Sequence, residues 1–334
     1  MPAYRVVQWE QPPALVETTV PEPAPGEVLV RVAGNGLCHS DATMTTMPGS
    51  LGGALGWQLP FTLGHEIAGH VAALGEGVHG FAVGDAVALV SPSSCGVCAL
   101  CLAGRESACT TGLVGRGYGR DGGLAPWVVA PAAREVLLIG DLDPVLAAPL
   151  TDAGATTHHA VARVVPKLGD GTTAAVIGVG GLGAFAVQLL RALTPARVLA
   201  VDTSEARRAL AAELGAHDVL DDAAGLSNVD VVIDVVGTDV TIAAGLRAVV
   251  PYGAFALVGA GNGTFRRPWF NGLPADVEIF TFQGSNIADA RAVIELARAG
   301  RITSLVDTFA LTDVADAYAA LDAGTLRGRA VVIP

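Results

Sequence analysis

Ala174-Ala175-Val176-Ile177-Gly178-Val179-Gly180-Gly181-Leu182-Gly183 joins a short apolar run to a helix-like one through a knot of glycines. Ala174 to Ile177 reads as a strand and Leu182 to Leu193 as a helix. Gly178, Gly180 and Gly183 fit G-x-G-x-x-G, with Gly181 and Leu182 between them. Alone that pattern is weak in a chain with 42 glycines among 334 residues. The strand before it and the helix after it give it weight. A second strand, Val198 to Val201, ends at Asp202, 19 positions past Gly183. That is close to the ~20 at which an acid meets the adenosine ribose. The first glycine permits a tight turn, and the second lets the backbone approach a pyrophosphate on the helix N-terminus. An acid at Asp202 repels a 2′-phosphate, so the pattern favours NAD over NADP. The competing reading makes Asp202 a cap of the next helix.

The same stretch imitates a membrane span. Gly171 to Leu190 carries no charge, about enough to cross a bilayer, and mean hydropathy is +0.50. Glycines crowded at its centre and Thr172-Thr173 at its start favour the strand–turn–helix parse, so no membrane partner is expected.

Working outward, strand-like and helix-like runs alternate from about residue 172: Glu205–Leu214, Val219–Leu220, Val231–Val236, Val240–Val249 and Ala254–Val258. This alternation implies α/β architecture, a doubly wound parallel (Rossmann) sheet. The near-continuous apolar strands suit burial on both faces. Before it, the first ~150 residues read as β-rich, with runs such as Val28–Val32 and Ala86–Val90 between Pro- and Gly-rich punctuation. After it come an Ala-rich helix (Ala288–Ala299), a second helix with Thr312 as N-cap, and a last strand, Arg329–Ile333.

Composition excludes several classes. The net charge of −12 argues against nucleic acid, which needs a basic stripe. All but one of the 20 basic residues are arginine, so Schiff-base chemistry would fall to Lys167, which reads as an exposed loop residue. Five cysteines, an odd number, and an N-terminus without a charged head and apolar core point to a reducing cytoplasm.

Cys95-x2-Cys98-x2-Cys101-x7-Cys109 spans 15 residues. Such spacing suits a closed four-thiolate zinc site of structural type; paired disulfides are the alternative. The fifth cysteine sits in Cys38-His39-Ser40-Asp41. Further on, His65-Glu66 precedes His70, but H-E-x-x-H needs a histidine where Gly69 stands, so the metalloprotease reading fails. No G-x-S-x-G is present. His158 and His159 are adjacent on an expected helix, about 100° apart, and do not both face one metal.

The chain resembles the zinc-dependent medium-chain alcohol dehydrogenases over essentially its whole length, most of all bacterial NAD-dependent secondary alcohol dehydrogenases. The resemblance rests on G-H-E-x2-G-x5-G-x2-V, met by Gly64, His65, Glu66, Gly69, Gly75 and Val78. Cys38–Asp41, the four-cysteine lobe, Ala147–Gly154, the glycine turn and Asp202 follow in the family's order. It implies a β-rich GroES-like catalytic domain from 1–150 and 290–334, with a lobe at 93–112, and an NAD-binding domain at 151–289. It implies two zinc ions per chain. The catalytic one would be held by Cys38, His65 and Asp152, with Glu66 an alternative ligand and Asp41 orienting His65. The structural one would be held by Cys95, Cys98, Cys101 and Cys109. Asp152 stands where many relatives have cysteine; a carboxylate keeps the charge and is acceptable to zinc.

Ser40 would take the hydroxyl proton, while Thr43 stands where many relatives finish the relay with histidine. Thr156 would pack on the nicotinamide, His39 and Arg329 would meet the pyrophosphate, and Arg207 the ribose. His39 as a loop histidine and Arg329 as a solvated strand-start charge stay open. Trp57 and Trp269 are candidates for lining the substrate site, with aromatic core or interface packing as the alternative. The implied reaction is reversible oxidation of secondary alcohols to ketones with NAD, in a homodimer or homotetramer; a polyol or sugar dehydrogenase is the alternative.

Overall fold

The strand that opens the glycine turn, Thr173–Ile177, lies inside a six-stranded parallel sheet of the computed structural model. The sheet runs Asp218–Leu220, Arg197–Val201, Thr173–Ile177, Val229–Asp234, Val249–Leu257 and Glu278–Thr281. Counted in chain order that is 3-2-1-4-5-6, the doubly wound order in which the first strand sits beside the reversal point. Every pairing is parallel. The structure describes residues 1–334 except Pro92, Gly112, Leu113 and Trp269.

The described chain divides into two units: Met1–Ala155 with Gly284–Pro334, and Thr156–Gln283. In the second, Gly181–Leu193, Glu205–Glu213 and Asp239–Ala248 are the helices between strands. The apolar face of Asp239–Ala248, with Ile242 and Leu246, meets the sheet at Phe255, Val232 and Ile177. Burying side chains of this size stabilises by about 1.5–3 kcal/mol each. Between Asp222 and Asp230 only a 3-10 turn, Ala223–Gly225, links two strands.

The first unit is β-rich. Its largest sheet runs Val136–Leu138, Ala86–Leu89, Glu66–Leu74, Glu27–Gly36, Arg329–Ile333 and Val306–Ala310, with Trp127–Pro131 also on Glu27–Gly36. Val28, Val30, Val32, Ile67, Val71 and Val87 form one buried cluster, the inward set of alternating strands. The C-terminal strand therefore completes a sheet begun about 300 residues earlier, beside the strand that leads to Cys38.

Two expectations are corrected. Thr312 does not cap the last helix: Leu311–Asp313 forms a 3-10 turn first, and the helix Val314–Asp322 starts from Asp313. Lys167 is no free loop charge. It closes a 3-10 turn, donates to the Tyr252 carbonyl at 3.0 Å and pairs with Glu278 at 2.8 Å. Among the described residues no helix is long and apolar enough to cross a membrane; the charge-free stretch is split into strand, turn and helix.

Candidate active site

Cys38 sits at the N-cap of the helix His39–Thr45. His65 directly precedes the strand Glu66–Leu74. Asp152 lies between a 3-10 turn, Ala148–Thr151, and the helix Ala153–Val164. Three separate chain segments thus deliver Cys38, His65, Glu66 and Asp152 to one point, where one ligand atom from each lies within 4.8 Å of the others. Gly36 pairs with Glu66 across the sheet. A Cβ on Gly36 would collide with the Glu66 carboxylate, so glycine there is a condition of Glu66 being buried.

Asp41 stands behind the cluster, fully buried. One carboxylate oxygen accepts the Cys38 backbone N–H at 3.0 Å, and the other is 3.0 Å from Nδ1 of His65. With Nδ1 facing Asp41, Nε2 is turned inward. It lies 3.5 Å from Asp152 Oδ2 and 3.2 Å from the Tyr118 hydroxyl. Ser40 is beside Cys38, Sγ to Oγ 3.5 Å. Arg329 closes the far side, its Nε donating to Glu66 Oε2 at 3.0 Å and its terminal nitrogen 3.7 Å from Asp152.

The electrostatics are those of charged groups gathered in a buried site. Burial pulls His65 down, yet Tyr118, Asp41 and Asp152 together hold it well above an ordinary histidine. Burial works to raise Asp152, and His65 and Arg329 outweigh it, so its carboxyl lies well below the usual range. Burial pushes Glu66 up to about 7 against the pull of Arg329. A sulfur, an imidazole nitrogen and a carboxylate oxygen at one point, the imidazole oriented by a carboxylate, is a donor set fitted to zinc. Two anionic donors balance a divalent ion.

The second cluster is Cys95, Cys98, Cys101 and Cys109, also within 4.8 Å of one another. Cys95 and Cys101 sulfurs are 3.9 Å apart, far beyond a bonded pair, and all four cysteines are free. Backbone N–H groups of Cys98, Cys101 and Cys95 point at the sulfurs of Cys95, Cys98 and Cys109. Backbone N–H groups at Thr110 and Cys101 pull the Cys98 thiol down to about 5. The lobe is tied down by Ser107 N–H on Asn286 and by Arg134 on Ser94. Gly112, at the end of the expected lobe, lies outside the described residues.

In the second unit the turn Gly178–Gly180 leads into the helix Gly181–Leu193. Gly178 has φ +91°, a left-handed conformation natural to glycine. A Cβ on Gly183 would press into the Gly178 carbonyl. Asp202 follows the second strand. Its Oδ2 accepts the Val179 N–H at 2.8 Å and its Oδ1 the Ser204 N–H at 2.9 Å. Ser204, not Asp202, is the N-cap of the next helix. Arg207 lies 4.0 Å from Asp202, beside Gly180. Thr156 is buried on the helix Ala153–Val164, where Thr157 donates to the Leu182 carbonyl at 3.3 Å.

The remaining candidates fall as follows. His39 and Thr43 are exposed. His159 stacks edge-on against Phe282 at 4.6 Å, a packing role. Trp57 is buried and meets Tyr118 and Phe61 edge-on; Trp269 lies outside the described residues. Arg329 is only 4% exposed on its side chain, which overturns the solvated strand-start reading. Sequence reasoning missed Tyr118. It lies 53 positions from His65, in a glycine-rich run with no spacing signal.

Residues 24–141 match the alcohol dehydrogenase GroES-like domain, and 181–299 match the zinc-binding dehydrogenase domain. An NAD-dependent alcohol dehydrogenase of Saccharolobus solfataricus is 32% identical, covering all of both chains. The solved alcohol dehydrogenase of Aeropyrum pernix superposes with TM-score 0.91 at 33% identity, again over the whole of both chains. An acetophenone reductase from Geotrichum candidum, solved in complex with NAD, gives 0.89 at 28%, over 100% of this chain and 97% of its own. End-to-end similarity to such relatives, over a chain whose two halves carry the two matched domains in order, means that it belongs to the zinc-type medium-chain alcohol dehydrogenase family.

Proposed function

We propose that this oxidoreductase takes a hydride from secondary alcohols to NAD, giving ketones, and runs in reverse as a ketone reductase. The observation that carries the reading is the convergence of Cys38, His65 and Asp152, with Asp41 behind His65. Zinc held there by these three side chains, with Glu66 as an alternative ligand, supplies Lewis acidity that makes the substrate hydroxyl easier to deprotonate. Ser40, beside Cys38, takes that proton. Asp41 keeps His65 in the tautomer that presents Nε2 to the metal. Tyr118, with Trp57 edge-on against it, offers aromatic surface beside His65 that suits an alkyl or aryl group.

The glycine turn carries NAD, with Gly178, Gly180, Gly181, Leu182 and Gly183 giving backbone room at the pyrophosphate. Asp202 takes the ribose hydroxyls; Arg207, His39 and Arg329 serve the ribose and phosphates; Thr156 packs on the nicotinamide. Residues 1–150 with 290–334 form the catalytic domain, and 151–289 the nucleotide domain. The second zinc belongs to the four-cysteine lobe at 93–112, where a closed thiolate shell leaves no position for substrate. The enzyme works in the cytoplasm as a homodimer or homotetramer.

A substrate panel tests this. NADH formation should be faster with propan-2-ol than with ethanol or sorbitol, and NADP should be a poor substitute. A clear preference for sorbitol would assign the site to polyols instead.

A further inference from the structure

The helix Val314–Asp322 belongs to the C-terminal part of the first unit and carries none of the candidate site residues. Its inner face, Val314, Ala317 and Leu321, shares one core cluster with Leu37 and Met44, which flank Cys38 and Asp41 in sequence. Tyr318 projects from the same helix, its ring 6.1 Å from that of Tyr4 at an interplanar angle of 28°. This packing carries the phenol inward until its hydroxyl oxygen has no exposed surface. Among the described residues that oxygen closes no hydrogen bond. Of the ionisable groups near it, Asp41 acts on it most strongly, ahead of Tyr4 and Cys38. Oδ1 of Asp41, 3.0 Å from His65 Nδ1, is likewise buried without a closed hydrogen bond.

A buried donor without a partner is costly, and so is a buried acceptor. Here the two are set against each other, and a small shift of either side chain brings the hydroxyl onto the carboxylate and satisfies both. We propose that Tyr318 is a positioning residue of the metal centre, its hydroxyl donating to Asp41 and so fixing the carboxylate that orients His65 and the Cys38 backbone. The hydroxyl draws negative charge from Asp41 and holds its rotamer. Asp41 then sets the direction and basicity of the imidazole at Nε2. This rests on the proposed ligand set of Cys38, His65 and Asp152, and extends its support outward to the last helix.

The test uses zinc-loaded full-length enzyme and a colorimetric chelator, 4-(2-pyridylazo)resorcinol. Groups behind a metal-bound histidine typically govern metal affinity by roughly 10- to 100-fold. Tyr318→Phe should release one of two zinc ions roughly tenfold faster, leave the other unchanged, and shift the visible bands of the cobalt-substituted enzyme. Tyr4→Phe removes a hydroxyl from the same stack and should change neither. In an Asp41→Ala background, which removes the acceptor, Tyr318→Phe should add nothing, because the two act in series. Wild-type release rates and an unaltered cobalt spectrum in Tyr318→Phe would overturn the inference while leaving the metal centre intact. An equal effect in the Asp41→Ala background would overturn it too. A wild-type enzyme with only one tightly held zinc would overturn the metal centre itself, and this inference with it.

Discussion

Arg329 and Glu66 form a buried ion pair at the edge of the metal-ligand cluster, Nε to Oε2 at 3.0 Å, with side chains 4% and 0% exposed. The two residues are 263 positions apart. They meet because Gly36 pairs with Glu66 on one side and with Val331 on the other. Replacing such a pair by apolar groups is often neutral, but removing one partner strands a charge and costs about 3–5 kcal/mol. Arg329→Ala should therefore destabilise the enzyme by about that amount, with no NAD present. Urea unfolding of the cofactor-free protein checks this. Unchanged stability would confine Arg329 to cofactor binding.

Asp202 has two jobs in this geometry. It anchors the glycine turn through Val179, and in the proposed NAD site it would also repel a 2′-phosphate. Asp202→Ala should raise KM for NAD and move the NAD-to-NADP preference toward NADP by roughly tenfold, about 1.4 kcal/mol. An unmoved ratio of kcat/KM values would show that selectivity lies elsewhere.

Asp234 ends the fourth strand of the parallel sheet, fully buried. Its Oδ1 accepts the N–H groups of Val236 and Gly237, both at 2.9 Å. Burial raises its pKa above 3.8, and the two N–H groups only partly oppose that. A raised folded value means that the folded state holds the proton more tightly. The resulting stability is full below 3.8 and is lost as pH rises through the folded value. Asp234→Asn does not titrate and keeps an acceptor for the two N–H groups. Its melting temperature should therefore gain on wild type between ~pH 4 and 7. A constant difference across that range would contradict the shift.

What was legible in the sequence was local. The glycine turn and Asp202 lie within one β-α-β unit, and the four cysteines within one lobe, so spacing alone exposed them. Strand and helix limits moved by only a residue or two at Thr173–Ile177 and Gly181–Leu193. The wider set of Cys38, His65 and Asp152 followed from a resemblance, because no spacing rule links segments that distant. Contacts closed by tertiary packing left no trace. Tyr118 against His65 and Arg329 against Glu66 depend on which strands become neighbours. The Thr312 cap failed for a smaller reason: a single 3-10 turn shifts a helix start, and Thr and Asp both suit the position.

The central claim is that Cys38, His65 and Asp152 hold the metal on which alcohol oxidation depends. Zinc content and NADH formation, measured together on wild type and Cys38→Ala, test it directly. The wild-type enzyme should carry two zinc ions per chain and oxidise propan-2-ol. Cys38→Ala should carry one, in the four-cysteine lobe, and form no NADH. Two zinc ions retained in Cys38→Ala, or full activity after complete removal of metal, would contradict the account.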